Sequence, residues 1–262
     1  MGRHLSLILA HPDDESYAAY GTVARHAQDE QFRLSVLHAT DGEKGEIAHG
    51  VPVAPEDLGA WRRREDENAW CAVGAKPHRH DWLGLPDGGV EAVGIPALRH
   101  RIITFLREER PDVVATFGPD GVSGHPDHIA MSVATTEAFD VVRREPGPGL
   151  KRLLYTVIPQ RLFEFSQRYR VQIGLEPWDP TQVYHLRGTA DELIGVQVDN
   201  RDHGAAMLAA FREHRSQRRV LFDPDGSDEK WVKVMRFESW VVAWPQREPG
   251  APLLDDVFAE LD

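Results

Sequence analysis

Apolar residues recur along this chain in two rhythms. LSLILA at 5–10, FRLSVLHAT at 32–40 and PDVVATF at 111–117 are short, nearly unbroken runs, as expected of strands buried on both faces. Between them the spacing lengthens to that of helices. Ala18, Ala19, Val23 and Ala24 give a weak apolar face over 16–29, and a helix over 61–75 should stop near Gly74. A third helix is predicted from about Pro96 to Glu109, with proline at its start and Ile95, Leu98, Ile102 and Leu106 at helical spacing. HRHDWLGLPDGG reads as a short extended piece and a turn, and IAMSVATTEAFDVV as a fourth helix. Strands alternating with helices predict an α/β fold: a Rossmann-like three-layer sandwich with a mostly parallel sheet.

PGPG at 146–149 suggests a division into a catalytic core, 1–150, and a C-terminal capping lobe, 151–262, that also completes the sheet. The second part holds a strand at LLYTVIP, the segments RLFEFSQRYR and TQVYHLRG, a helix from about Asp199 to Arg215, and the tryptophan-bearing WVKVMRFESWVVAWP. The connection from Glu43 to Ala60 is long for an α/β fold and is expected to shape a surface or a mouth.

A formal charge of −12 argues against a nucleic-acid partner, which needs a concentrated basic face. The run Arg62 to Arg64 sits among acids and reads as a solvated helix face. Nothing approaches the roughly 18 apolar residues of a membrane span, and no secretory leader is evident, so no membrane partner and a cytoplasmic location are the default expectations. Cys71 is alone, excluding an internal disulfide or a thiolate cluster. Any bound metal must take nitrogen and oxygen ligands, and Cys71 itself reads as packing.

Two of the apolar runs end in acidic histidine loops, HPDDE at 11–15 and GHPDH at 124–128. In an open α/β sheet, ligands gather beyond the carboxyl ends of the strands, so these loops should face one crevice. A hydrolytic zinc site needs three such ligands and an open position. His11 and Asp14 share one tight loop and His128 completes a trio, which leaves Asp13, His125 and Asp127 for proton transfer or ligand orientation. The competing explanation is that Asp13 to Ser16 cap the helix that follows them, with His-Pro-Asp in both places a coincidence of turn chemistry. Matching loops at two strand ends favour a metal.

HPDDE followed by GHPDH resembles the PIG-L/LmbE-like family of zinc-dependent de-N-acetylases. TDGEKGE at 40–46, Arg62 and Glu65 on a helix ending VGA, and LGLPDGG at 83–89 resemble further landmarks of that family, in order. The resemblance implies Zn2+, or another divalent metal, held by His11, Asp14 and His128. It implies Asp13 as the general base, His125 as oxyanion stabiliser and proton donor, and Asp127 as the group that orients its neighbour or the base. The substrate implied is a small amino sugar or sugar conjugate carrying an N-acyl group; the alternatives are an amidase cleaving a larger amide of a sugar conjugate and a non-catalytic carbohydrate-binding relative.

Asp41, Glu43, Arg62 and Asp87 are candidates for binding sugar hydroxyls. Arg62 and Glu65 are spaced to pair on one helix face. Asp120 should position the second histidine loop, His38 reads as a core histidine, and His78 and His80 as loop residues. Ser123 stands where some thiol-sugar deacetylases of the family carry a tyrosine, which shifts the burden of oxyanion stabilisation onto His125. Trp231, Trp240 and Trp244 fit core packing better than a stacking platform. The sequence leaves the oligomeric state open.

Overall fold

The computed structural model describes residues 2–218 and 227–261. The predicted strands form as β1 (Arg3–Leu9), β2 (Phe32–His38), β3 (Arg79–Trp82), β4 (Val113–Phe117) and β5 (Arg152–Thr156). The runs in β1, β2 and β4 are largely apolar because the sheet is covered on both faces there, whereas the edge strand β3 is polar and half-buried; Leu5, Leu7, Ile8, Val36, Val113, Val114 and Phe117 are inaccessible to solvent.

Helices α1 (Glu15–Ala18) and α2 (Tyr20–His26) follow β1, α3 (Leu58–Val73) follows β2, α4 (Ile95–Glu109) follows β3, and α5 (Gly121–Gly124) and α6 (Pro126–Val142) follow β4. The second half adds β6 (Ile158–Pro159), α7 (Gln160–Gln172), β7 (Gly188–Thr189), β8 (Ile194–Asp199), α8 (Gly204–Glu213), a short helix at Asp228–Val234 and β9 (Phe237–Trp244).

The main sheet runs β3-β2-β1-β4-β5-β9-β8. β3, β2, β1, β4 and β5 are mutually parallel, while β9 is antiparallel to both β5 and β8. The order reverses between β1 and β4, whose register pairs Leu5 with Val113 and Leu7 with Ala115. Strand order therefore opens a crevice at the carboxyl ends of these two strands, and both histidine loops begin there.

Several expectations need correction. The helix predicted over 16–29 is broken at Ala19 (φ −157°, ψ −2°). Glu238 of β9 takes the Gly21 and Thr22 N–H groups at 2.6 and 2.8 Å, a carboxylate cap supplied from the far end of the chain. The helix expected from Asp199 begins at Gly204, because β8 runs on to Asp199. His80 lies in β3 and not in a loop. Cys71 is exposed, since α3 turns Arg62, Glu65, Asp66, Ala69, Trp70 and Val73 inward. Trp240 is fully buried within the sheet, as core packing requires, and the partly exposed Trp244 lies under the Arg143 guanidinium. Among the described residues no helix is long and apolar enough to cross a membrane.

Candidate active site

The first loop is held by its own carboxylates. Asp14 Oδ2 accepts the Ala10 and His11 N–H groups at 3.1 and 2.7 Å, and its Oδ1 accepts the Tyr17 hydroxyl at 2.8 Å. Asp13 sits at φ 107°, a region L residues rarely occupy. Its N–H donates to both oxygens of the buried Glu15, each at 3.1 Å. Capping was thus only part of what these acids do: Glu15 reaches back to fix the strained turn that carries Asp13.

The second loop is built similarly. Asp120 accepts Val122 N–H at 3.0 Å, fulfilling the positioning role expected of it. His125 caps α6, its Nδ1 accepting the Asp127 N–H at 3.1 Å, and Pro126 stands in the first turn, where a missing N–H costs nothing. His128 Nδ1 meets the Gly121 carbonyl at 3.1 Å, and its ring stacks on Phe117 with centroids 4.1 Å apart. Donation to that carbonyl leaves the His128 Nε2 lone pair facing the first loop.

There the predicted trio converges. His128 Nε2 lies 3.2 Å from His11 Nδ1 and 3.2 Å from Asp14 Oδ1, and His11 Nδ1 lies 3.6 Å from Asp14 Oδ2. Tetrahedral donors at about 2.0–2.2 Å from zinc stand about 3.3–3.6 Å from one another, so two imidazoles and this carboxylate could hold such an ion. Behind His11, Nε2 faces Asp87 Oδ1 at 3.2 Å and Asp127 Oδ2 at 3.3 Å. These carboxylates hold the Nε2 hydrogen and turn Nδ1 toward the trio.

His125 also brings a ring nitrogen within 4.8 Å of His11 and His128 nitrogens. Its Nδ1 is already occupied as an acceptor, so a neutral His125 carries its hydrogen on Nε2 and is a donor. Burial, with His128 and His11 beside it, lowers its pKa to about 4 and keeps it neutral. Burial alone would lower His11 too, but Asp127, Asp14 and Asp87 outweigh it and hold its pKa well above the usual value. Burial raises Asp14, yet His128 and His11 prevail and hold it well below the ordinary carboxylate range.

Asp13 stands beside the trio with a different partner. Arg62 Nη2 donates to its Oδ2 at 2.9 Å and also to the Pro12 carbonyl, while Nη1 donates to the Gly42 carbonyl at 2.7 Å. Burial pushes Asp13 up to about 6, against the opposing pull of Arg62. Gly42, at φ 64°, is needed for this approach, because a Cβ there would fall 2.0 Å from Arg62 Nη1.

Arg62 does not make the expected pair with Glu65. Glu65 instead accepts Trp61 Nε1 at 2.6 Å and the Ser216 N–H and hydroxyl at 2.9 and 2.6 Å. Asp87, proposed for sugar binding, is placed on His11. Glu43 accepts the Asp87 N–H at 2.8 Å and shapes that turn, and Asp41 pairs with Arg63 at 2.5 Å.

Sequence reasoning missed Glu15 as more than a helix start. It is fully buried and also receives the Tyr20 hydroxyl at 2.9 Å, with His214 at 3.1 Å and His38 at 3.3 Å. The available signal was a polar His38 in an otherwise apolar strand; it is a core histidine, but one serving Glu15. A cleft of about 570 Å³ lies elsewhere, along β3, lined by Arg63, Arg79, His80, Trp82 and Phe105 among others and by none of the trio.

The family model described as PIG-L, GlcNAc-PI de-N-acetylase, matches residues 6–139. A 1D-myo-inositol 2-acetamido-2-deoxy-alpha-D-glucopyranoside deacetylase of Rhodococcus jostii is 37% identical over 86% of this chain and 85% of the relative. A protein of Saccharopolyspora erythraea named as deacetylase 2 for the same compound is 33% identical over 98% of this chain and all of its own length. Among solved structures, the N,N'-diacetylchitobiose deacetylase from Pyrococcus horikoshii shares the fold, with a TM-score of 0.59 and 23% identity over 95% of this chain and 84% of that one.

Proposed function

The chain belongs to the PIG-L family of de-N-acetylases, and from that premise we propose that it hydrolyses the N-acetyl amide of a glucosamine-like sugar or its conjugate. The observation that carries this reading is the convergence of His11 Nδ1, His128 Nε2 and the Asp14 carboxylate, with Asp13 beside them on a separate partner. A divalent ion, zinc in our reading, would be held by those three residues and would polarise the acyl carbonyl and acidify a water molecule. Other ions that accept nitrogen and oxygen ligands fit the same donors.

The remaining chemistry falls to the chain. Asp13, buried beside the trio and bound at Oδ2 by Arg62, accepts the proton of the attacking water. Arg62 fixes its direction and favours the ionised form. His125, neutral and donating from Nε2, stabilises the oxygen of the acyl group as negative charge develops there. Water adds to the amide carbon, the C–N bond breaks, and the proton taken up by Asp13 passes to the departing nitrogen, giving acetate and the free amine. Asp127 and Asp87 hold the His11 ring without entering the reaction.

The test joins metal analysis of the purified protein to acetate release from a panel of N-acetylated sugars. Chelation should abolish acetate release, and zinc should restore it. Full activity after stringent metal removal would overturn the mechanism. Asp13→Asn should retain the metal and lose about 10²-fold or more in kcat, the scale of general-base catalysis.

A further inference from the structure

The segment that leads into β7 reaches across to the second histidine loop. Arg187 N–H donates to the Val122 carbonyl at 2.9 Å, tying the segment to α5. The Arg187 guanidinium lies against Gly124, where a Cβ would come within 2.3 Å of Nη2. Gly124, at φ 72°, immediately precedes His125. Three residues before Arg187, the Tyr184 ring meets the His125 ring edge-on, with centroids 5.0 Å apart.

Two features of this strap are unexplained by packing. Tyr184 is 63% exposed despite its size, makes no hydrogen bond through its hydroxyl among the described residues, and sits at φ 67°. An aromatic residue in that backbone region is strained, and such strain persists where the surroundings hold the residue in place for use. Arg187 has no ion pair and no side-chain hydrogen bond among the described residues, and its Nε is buried without a partner. Where Arg62 and Arg63 near the site find carboxylates, and Arg110 and Arg152 find backbone carbonyls, the Arg187 guanidinium has neither among the described residues, although it lies against the residue that precedes His125.

We propose that Tyr184 and Arg187 form an acceptor subsite of the same active centre, in which Arg187 binds an anionic group, phosphate or carboxylate, on the substrate beyond the acylated sugar. This rests on the deacylation reading and adds the substrate class to it. The planar guanidinium offers parallel N–H donors that match phosphate and carboxylate oxygens, and an anion would satisfy the buried Nε. Tyr184 supplies the aromatic face against which a sugar or its aglycone packs, next to His125 and hence next to the reacting amide. A neutral polyol acceptor is the competing occupant. It would use the tyrosine face and leave the charge of Arg187 without a counterpart.

Calorimetric binding of two product-like ligands to the metal-loaded protein tests this: glucosamine 1-phosphate and methyl glucosaminide. The phosphate ligand should bind about tenfold or more tightly, the scale of one charge-assisted contact. Arg187→Gln should erase that preference and leave the neutral ligand unchanged, while Tyr184→Ala should weaken both and Tyr184→Phe neither. Thermal melting checks the fold. Should Arg187→Gln melt early, Arg187→Lys, which keeps the charge without the fork, should fall between wild type and no preference. Equal binding of both ligands by the wild type, or a preference that survives loss of the guanidinium, overturns the subsite. A preference that depends on Arg187, in a protein releasing no acetate from any N-acetylated sugar, would sustain the subsite and sink the deacylation reading.

Discussion

Arg62 and Asp13, 49 positions apart, meet as a buried ion pair at 2.9 Å, and the same guanidinium holds the Pro12 and Gly42 carbonyls. One side chain thereby joins the loop after β1 to the loop after β2 and sets the direction of the carboxylate proposed as base.

Replacing Arg62 tests that coupling. Arg62→Ala leaves Asp13 buried without its cation and the two carbonyls without a donor. A fall in kcat of about tenfold to a hundredfold is expected, with a melting temperature lowered by the loss of a buried pair. Metal content should be unchanged, because Arg62 touches none of the trio. Arg62→Lys should recover little, since one ammonium cannot span three acceptors in a fork. Kinetics on the best acetylated sugar, with parallel metal analysis, decide it.

Asp127→Asn should act on the metal instead. Its carboxylate lies 3.3 Å from His11 Nε2 and also accepts the Gly88 and Val90 N–H groups. Weakening that support should reduce metal affinity by about tenfold to a hundredfold, the range seen for outer-shell partners. Activity at saturating metal should be much less affected. A metal titration that gave the wild-type affinity would show that Asp87 alone orients His11.

Glu15 should prove a positioning residue. Glu15→Gln keeps its shape but presents only one oxygen to the Asp13 N–H, the Tyr20 hydroxyl, His38 and His214. A stability loss of about 1–3 kcal/mol is expected from the strained hydrogen bonding, together with a lowered kcat and an almost unchanged KM. Chemical denaturation and steady-state kinetics measure the two effects separately.

His80 should make stability depend on pH. Burial, with His38 close by, lowers its pKa from 6.5 to about 3, so the folded protein keeps it neutral while the unfolded chain protonates it. Between those values the unfolded state binds more protons, and stability falls as pH drops. The contribution is complete above pH 6.5 and is lost progressively toward pH 3, at up to about 1.4 kcal/mol per pH unit. Urea unfolding at pH 6.5, 5.5 and 4.5 should show a shallower decline for His80→Gln than for wild type.

The strands and most helices were legible because burial on both faces of a parallel sheet leaves unbroken apolar runs, as in β1, β2 and β4. The helix after β1 was misread because its break answers to Glu238, more than two hundred residues away. The inward face of α3 was misread for a related reason. It looks toward a polar centre, so its buried positions are Arg62, Glu65 and Asp66, and hydrophobic periodicity reports only apolar burial.

Within the site, HPDDE and GHPDH announced donor chemistry, and their places at strand ends brought them to one crevice. That much follows from local composition and the rules of α/β topology. The chain order alone did not determine which acids serve which partners. Arg62 turned from Glu65 to Asp13, Asp87 and Asp127 turned to His11, and Tyr184 and Arg187 arrived from the second half. Those choices belong to tertiary structure, because a buried charge goes to whatever partner the packed elements bring within hydrogen-bond reach, however distant in sequence.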